Sequence, residues 1–193
     1  GNPTAEEVEQ FKAGQHQSFE AFCHDNQLDN RPVIALLAGS RRQEVKDNLP
    51  AMIEAASAFK DKYQLVLAKA PSLDDDYYAP FLKGKVIKAV SDKTYALLSH
   101  STAALVTSGT ATLETALFGV PQTVCYKTPV PRLIRFAFNH VLKVRFISLV
   151  NLIADREVVS ELFAERFTYD NICADLRSLL PGGNRRAAML EGY

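Results

Sequence analysis

The chain has 193 residues, and 22 basic residues balance 22 acidic ones. Charged residues form 23% and aromatic residues 9% of the sequence, which is typical of a globular protein and excludes extensive disorder. The zero net charge gives no argument for a nucleic-acid-binding protein. The sequence has neither the ~20-residue apolar run of a membrane helix nor a signal-like start, so we expect a cytoplasmic chain.

Sulfur and imidazole side chains are few and scattered. The cysteines are Cys23, Cys125 and Cys173, and there are four histidines. Their spacing matches neither a zinc site nor a disulfide framework, and no cysteine has an activating neighbour. We therefore expect no metal, no cofactor and no cysteine nucleophile.

Apolar patterning predicts alternating strands and helices. Short apolar runs predict buried strands over 32–38, 64–68, 85–90, 103–107 and 122–126. Between them, helices are predicted over 44–62, 74–82, 92–100 and 110–118. Strands that are apolar on both faces and alternate with helices are typical of a parallel sheet covered on both sides. The predicted fold class is therefore α/β.

The flanking segments give further predictions. Residues 1–30 are predicted to be a linker and a peripheral helix (4–21) followed by a loop, and residues 31–193 to form the domain. Pro50 is expected to kink or split its helix because it lacks a backbone donor. After Pro129 the pattern predicts helix throughout, except for a loop over 146–154.

The connection after the first strand is a candidate phosphate site. Gly39 permits a tight turn, and Ser40 and Gln43 have capping-box spacing. Arg41 and Arg42 stand beside the start of the helix, where free N–H groups and the positive end of the dipole favour an anion. The alternative is an ordinary capped helix with two solvated arginines.

The connection after the fourth strand is the second candidate. Hydroxyl groups crowd this turn at Ser108, Thr110 and Thr112 around Gly109, and they can bind phosphate oxygens with the backbone N–H groups. Glu114, one turn into the helix, can accept hydrogen bonds from ribose hydroxyls. The alternative is a Ser/Thr-rich helix cap.

The two turns are expected to face one another, because ligands of parallel sheets bind at the carboxyl ends of the strands. Neither turn has the G-x-G-x-x-G pattern of dehydrogenases, so a dehydrogenase-type dinucleotide fold is disfavoured. Neither has the G-x-x-x-x-G-K-[ST] pattern, which excludes a P-loop enzyme.

A basic helix is predicted within 127–145, an interval without acidic residues. Arg132, Arg135 and Lys143 share one helical face, with Phe136 at its border. This arrangement suits the surface of an anionic membrane. The alternative is an amphipathic helix packed on the sheet with its cations in water.

Three phrases of the sequence together resemble the lipid-A-disaccharide synthase family. They are Leu-Leu-Ala-Gly-Ser-Arg (36–41), Thr-Ser-Gly-Thr-Ala-Thr-Leu-Glu (107–114) and Ser-Leu-Val-Asn-Leu-Ile-Ala-Asp-Arg-Glu (148–157), followed by Glu161-Leu162. Several nucleotide-sugar enzymes share the second phrase, whereas the third is more specific. The resemblance runs from about Pro32 to the last residue and covers the carboxyl-terminal half of that enzyme.

The resemblance implies a Rossmann-like domain, truncated at both ends, that is one half of a GT-B glycosyltransferase. The family moves 2,3-diacylglucosamine from UDP to 2,3-diacylglucosamine 1-phosphate with inversion. This chain would be the UDP-binding half, inactive alone, and the general base would lie in a missing amino-terminal domain. Metal-independent chemistry, a peripheral position on the inner face of the bacterial inner membrane and a possible homodimer are also expected.

Residue by residue, the resemblance implies a UDP site made of the two turns. Ser40 and Arg41 would contact the diphosphate, and Glu114 would bind the ribose. The remaining expected contacts to the donor come from Ser108, Gly109, Thr110, Thr112 and Asn151.

Three residues depart from the family pattern. Ala38 and Val150 replace common prolines, and Ala164 stands where a glutamine is common, which puts a donor contact in doubt. The alternatives are another GT-B enzyme, such as a muramyl-lipid N-acetylglucosaminyltransferase or a UDP-N-acetylglucosamine epimerase, or a non-catalytic nucleotide-binding module.

Overall fold

The structure is a computed structural model that describes residues 3–107, 109–127 and 158–193. In these ranges the strands are β1 Val33–Leu37, β2 Gln64–Lys69, β3 Ile87–Ser91, β4 Ser101–Val106, β5 Gln122–Tyr126 and β6 Ser160–Phe163. The helices are α1 Pro3–Gly14, α2 Phe19–Asp25, α3 Arg42–Ser57, α4 Asp75–Leu82, α5 Thr94–Ser99, α6 Thr110–Leu117, α7 Tyr169–Leu179 and α8 Arg186–Gly192. A 3-10 turn, Ala164–Arg166, follows β6.

The described strands form one sheet in the order β3-β2-β1-β4-β5-β6, and every neighbouring pair is parallel. The order reverses between β1 and β4, which is where a crevice opens in doubly wound sheets. The predicted α/β class with a parallel sheet is confirmed.

Helices cover both faces of the sheet, as predicted. Alternate residues of a strand point to opposite faces, so Ile34 and Leu36 pack in one core with α3 and α7. Val33 and Ala35 pack in the other core, together with α2 and α5. Each β1 residue is buried for this reason, which explains the uninterrupted apolar run.

The prediction for the chain after Pro129 is wrong at β6. Residues 160–163 pair in parallel with β5 instead of forming a helix. Ser160 and Glu161 make this segment look polar, yet both are buried at the sheet. The pairing comes from tertiary contacts that the local pattern does not encode.

Two further local predictions are corrected. The helix predicted over 4–21 is two helices, because α1 ends at Gly14 and Ser18 caps a new helix by accepting the Ala21 N–H at 3.0 Å. Pro50 does not split α3, which runs continuously from 42 to 57. The buried apolar face of α3, with Leu49 and Met52, stabilises it, while Pro50 itself lies on the exposed face.

Candidate functional site

A cleft of about 470 Å³ opens at the carboxyl edge of the sheet where β1 and β4 are neighbours. The first predicted turn contributes Gly39, Ser40, Arg41 and Glu44 to its lining, and the second contributes Gly109, Thr110, Ala111 and Glu114. The ends of the two strands are joined directly, because the Thr107 N–H donates to the Leu37 carbonyl at 2.9 Å. The two turns thus face one another, as the sequence predicts.

The first turn depends on the absence of a side chain at Gly39. This residue has a φ of +97°, and a Cβ there would lie 2.8 Å from the Cβ of Glu44. The backbone of Arg41 remains extended, and α3 begins only after it, so Arg41 is the N-cap residue. The predicted capping box of Ser40 and Gln43 is therefore wrong. Ser40 stays exposed at the cleft.

The connection from β2 to α4 is fastened to this first turn. The Ser72 hydroxyl donates to the Ser40 carbonyl at 2.8 Å, and the Tyr77 hydroxyl donates to the Arg42 carbonyl at 2.5 Å. The Arg42 guanidinium also lies 4.9 Å from the centre of the Tyr77 ring, a cation–π contact. Arg42 is therefore used in packing, whereas Arg41 lines the cleft.

The second turn is stabilised by Thr112, one of the residues predicted to contact UDP. Gly109 has a φ of +101° and precedes the first turn of α6. Thr112 is fully buried, and its hydroxyl donates to the Gly109 carbonyl at 2.9 Å. Thr112 is not part of the cleft lining, so its position supports a structural role in the turn. Thr110 is exposed and lines the cleft.

Glu114 lines the cleft beside a tyrosine that the sequence did not single out. The Tyr95 hydroxyl donates to Oε2 of Glu7 in α1 at 3.4 Å, and the Glu114 carboxylate is close enough to interact with it. Burial and these two carboxylates raise the pKa of Tyr95 well above its usual range. Tyr95 therefore remains a hydrogen-bond donor at physiological pH. Its ring packs edge-on or tilted against Phe11 and Phe118.

Lys69 is another cleft residue that sequence reasoning missed. It closes β2, its side chain is only 16% exposed, and its ammonium lies 2.6 Å from Oδ1 of Asp75. Thr94 at the start of α5 and Glu44 in α3 also line the cleft. A lysine at a strand end has no sequence signature that separates it from a surface lysine.

Several predicted site residues lie outside the described residues. These are Ser108 and Asn151, predicted for the donor site, and Arg132, Arg135, Phe136 and Lys143, predicted for the membrane surface. Within 3–107, 109–127 and 158–193, no group of three or more His, Cys, Asp or Glu side chains is placed to hold a metal ion. No helix in these ranges has the length and apolar character needed to cross a bilayer.

Comparison with known proteins decides the family. The sequence model of a family described as lipid-A-disaccharide synthetase matches residues 1–190. The chain belongs to this family. The match includes the first thirty residues, ahead of the point near Pro32 where the resembling phrases begin.

Curated members of the family agree with this assignment. The lipid-A-disaccharide synthases of Trichlorobacter lovleyi and Geobacter sulfurreducens are 33% and 32% identical over 99% and 91% of this chain. The enzyme of Myxococcus xanthus is 36% identical over 83% of it. These alignments cover 50%, 46% and 43% of the relatives, so the chain spans about half the length of the family members it matches.

Solved structures with the same fold are glycosyltransferases and epimerases. WaaG, a glycosyltransferase involved in lipopolysaccharide biosynthesis, superposes with a TM-score of 0.58 at 15% identity, covering 93% of this chain and 46% of WaaG. The UDP-GlcNAc 2-epimerase of Methanocaldococcus jannaschii, solved with UDP-GlcNAc and UDP, gives a TM-score of 0.56 at 12% identity, covering 98% and 51%. At these identities the likeness shows the fold alone, which corresponds to half of a GT-B protein.

Proposed function

We propose that this chain is the UDP-sugar-binding half of a lipid-A-disaccharide synthase. The whole enzyme would transfer 2,3-diacylglucosamine from UDP to 2,3-diacylglucosamine 1-phosphate with inversion at the anomeric carbon. The observation that carries the proposal is the single cleft lined by both turns at the reversal of strand order in a family member.

The diphosphate would lie between the two turns. Ser40 and Arg41 would contact it from the start of α3, and Gly109 and Thr110 from the start of α6, where the positive end of each helix dipole favours an anion. As the bond to the sugar breaks, negative charge develops on the diphosphate, and preorganised donors with a guanidinium stabilise it. This arrangement would take the place of a divalent metal and needs no cofactor.

Glu114 would accept hydrogen bonds from the ribose hydroxyls. It lies within the same cleft, one helical turn beyond Thr110, and the Tyr95 hydroxyl close to it would help to orient its carboxylate. A carboxylate that is already oriented loses less conformational entropy when it binds a hydroxyl. Ser108 and Asn151 remain proposed donor contacts by resemblance.

The rest of the enzyme would be supplied by an amino-terminal domain. The general base and much of the acceptor site are proposed to lie there, so this half alone would bind UDP without transferring sugar. Both substrates carry acyl chains, and the basic face of Arg132, Arg135 and Lys143 with Phe136 would rest on the anionic inner face of the bacterial inner membrane. A homodimer is compatible with this arrangement.

Titration calorimetry with UDP, with and without Mg²⁺, tests the donor site. We expect binding that EDTA does not change, weakened about 10- to 100-fold by Arg41→Ala and about 3- to 10-fold by Glu114→Ala. Arg177→Ala, on α7 away from the cleft, is the matched charge control and leaves binding unchanged. Absence of UDP binding at millimolar concentration, or equal effects of all three variants, contradicts the proposal.

Addition of the amino-terminal half tests the enzymatic reaction. Release of UDP and formation of the disaccharide are expected only when both halves are present. If UDP binds but no transfer follows, the chain is a nucleotide-binding module. Conversion of UDP-N-acetylglucosamine to UDP-N-acetylmannosamine, or transfer of N-acetylglucosamine to a muramyl lipid, identifies one of the other GT-B enzymes instead.

A further inference from the structure

Lys69 is a second cation in the cleft, and it comes from a strand that neither predicted turn includes. We infer that Lys69 contacts the diphosphate of the bound nucleotide, so that Lys69 and Arg41 together neutralise the negative charge of the diphosphate. The inference rests on the proposed function and adds a specificity-determining residue to it.

The position of Lys69 follows from the sheet. Lys69 is the last residue of β2, which pairs with β1 in parallel, so both strands end at the same edge. Only 16% of the Lys69 side chain is exposed, and Lys69 lines the same cleft as Ser40 and Arg41. The Lys69 side chain therefore lies along the cleft, and little of it reaches open solvent.

The loops around this ammonium are joined to the first turn. The Ser72 hydroxyl bonds the Ser40 carbonyl at 2.8 Å, and Tyr77 bonds the Arg42 carbonyl. Asp75, the first residue of α4, holds the Lys69 ammonium at 2.6 Å. These contacts tie the connection after β2 to the backbone of the first turn, so Lys69 and Arg41 line one cleft.

The charge balance of the cleft calls for this cation. Among the described residues of its lining, Glu44 and Glu114 are acidic, and Arg41 is the other cation. Without Lys69 the lining would carry more negative than positive charge, which opposes a diphosphate. With Lys69 the charges of the lining itself balance, Asp75 outside the lining offsets part of the Lys69 charge, and the helix N-termini favour the anion.

A purely structural role explains the arrangement poorly. The Asp75 side chain is 82% exposed, and ion pairs with such exposed partners contribute about 0–1 kcal/mol to folding. An ammonium also has three donor hydrogens, so Lys69 can keep its bond to Asp75 and still donate to a phosphate oxygen.

Binding of two ligands to the 193-residue chain tests the inference. UDP is titrated by calorimetry, and uridine, which lacks phosphate, is followed by ligand-observed NMR. Lys69→Met, which keeps the aliphatic stem, is expected to weaken UDP about 10- to 100-fold and to leave uridine within about twofold. Lys69→Arg is expected to restore UDP affinity to within about threefold of the parent chain.

Two further variants make the result specific. Lys62→Met removes the same charge about 20 Å away, at the opposite end of β2, and is expected to change neither ligand. Asp75→Asn removes the competing carboxylate from a position that tolerates change, so UDP is expected to bind about two- to fivefold more tightly. This variant decides the question if Lys69→Met does not fold.

Each outcome has a defined meaning. Unchanged UDP affinity in Lys69→Met, an equal loss of UDP and uridine, or weaker UDP binding in Asp75→Asn overturns the inference. If Arg41→Ala still weakens UDP in those cases, the proposed donor site stands without Lys69. If the parent chain itself binds no UDP, the proposed function fails first.

Discussion

Glu44 packs so tightly against Gly39 that a methyl group on Gly39 would lie 2.8 Å from the Glu44 Cβ. That Cβ belongs to α3 and cannot move without the helix. The backbone of Gly39 also has a φ of +97°, which L-residues rarely adopt. The first turn of the cleft therefore requires glycine at position 39 for two reasons, the positive φ and the lack of room for a Cβ beside Glu44.

Gly39→Ala is expected to lower the free energy of unfolding by about 3 kcal/mol, because strain at positive φ adds to overpacking. Gly84→Ala is the matched control: Gly84 has a φ of +73°, but a methyl group there would have no atom within 4 Å, so its cost is about 1 kcal/mol. Urea denaturation measures both. Equal losses in the two variants would mean that the Glu44 contact contributes nothing.

Tyr95→Phe is expected to weaken UDP binding about 3- to 10-fold, because Glu114 loses the hydroxyl that orients it. The ring contacts with Phe11 and Phe118 are kept, so stability changes little. Calorimetry with UDP and with a uridine diphosphate that lacks both ribose hydroxyls measures the effect.

The ligand without ribose hydroxyls is expected to bind Tyr95→Phe and the parent chain equally. Tyr63→Phe, just before β2 at the opposite edge of the sheet, serves as the control and leaves both affinities unchanged. A loss of equal size for both ligands would show that Tyr95 does not act through Glu114.

His100 is expected to make stability depend on pH. Burial lowers its pKa below the ordinary 6.5, since the ring lies against Phe19 and Phe22 and next to Gln15. The unfolded chain then binds the proton more readily than the folded chain. Stability is complete above the unfolded pKa and falls as the pH drops below 6.5 toward the lower folded pKa.

Urea denaturation between pH 5 and 8 checks this dependence. His100→Gln is expected to flatten the slope between pH 5 and 7. An identical slope in His100→Gln would show that another group is responsible.

Asp175 on α7 is expected to be the most sensitive polar residue away from the cleft. Its side chain is 10% exposed, lies 2.5 Å from Arg185 and accepts a hydrogen bond from the buried Thr123 of β5. Asp175→Ala leaves the buried Thr123 hydroxyl without its acceptor and removes the ion pair of Arg185, which keeps its hydrogen bond to Ser160, and should cost about 2 kcal/mol in urea denaturation. Asp170→Ala, exposed on the same helix, should cost under about 0.5 kcal/mol. A small loss in Asp175→Ala would contradict this.

The sequence predicted the central sheet well, because buried parallel strands have continuous apolar runs. The observed bounds of β5 are those expected, and β1, β2 and β4 differ from the prediction by one or two residues at their ends. The prediction failed at β6, where Ser160 and Glu161 interrupt the apolar pattern. The polarity of that segment conceals a pairing that depends on β5 being already in place.

The sequence predicted those parts of the candidate site that lie in the turns after β1 and β4. Ser40, Arg41, Gly109, Thr110 and Glu114 line the cleft as expected, and their roles toward UDP stay predictions. Lys69 was missed because it reaches the cleft from the end of β2, which neither predicted turn includes, and Tyr95 was missed because it lies on α5, apart from both turns in the sequence. The orientation of a side chain at a strand end depends on neighbours such as Asp75.

The hydrogen bond between Thr107 and Leu37 joins residues 70 positions apart in the chain. Contacts of such sequence separation form late, because the intervening segment must lose its freedom first. Before β4 pairs with β1, the chain would have only the first turn and half of the cleft. A ligand that needs both turns would therefore report, during refolding, the moment at which β4 docks.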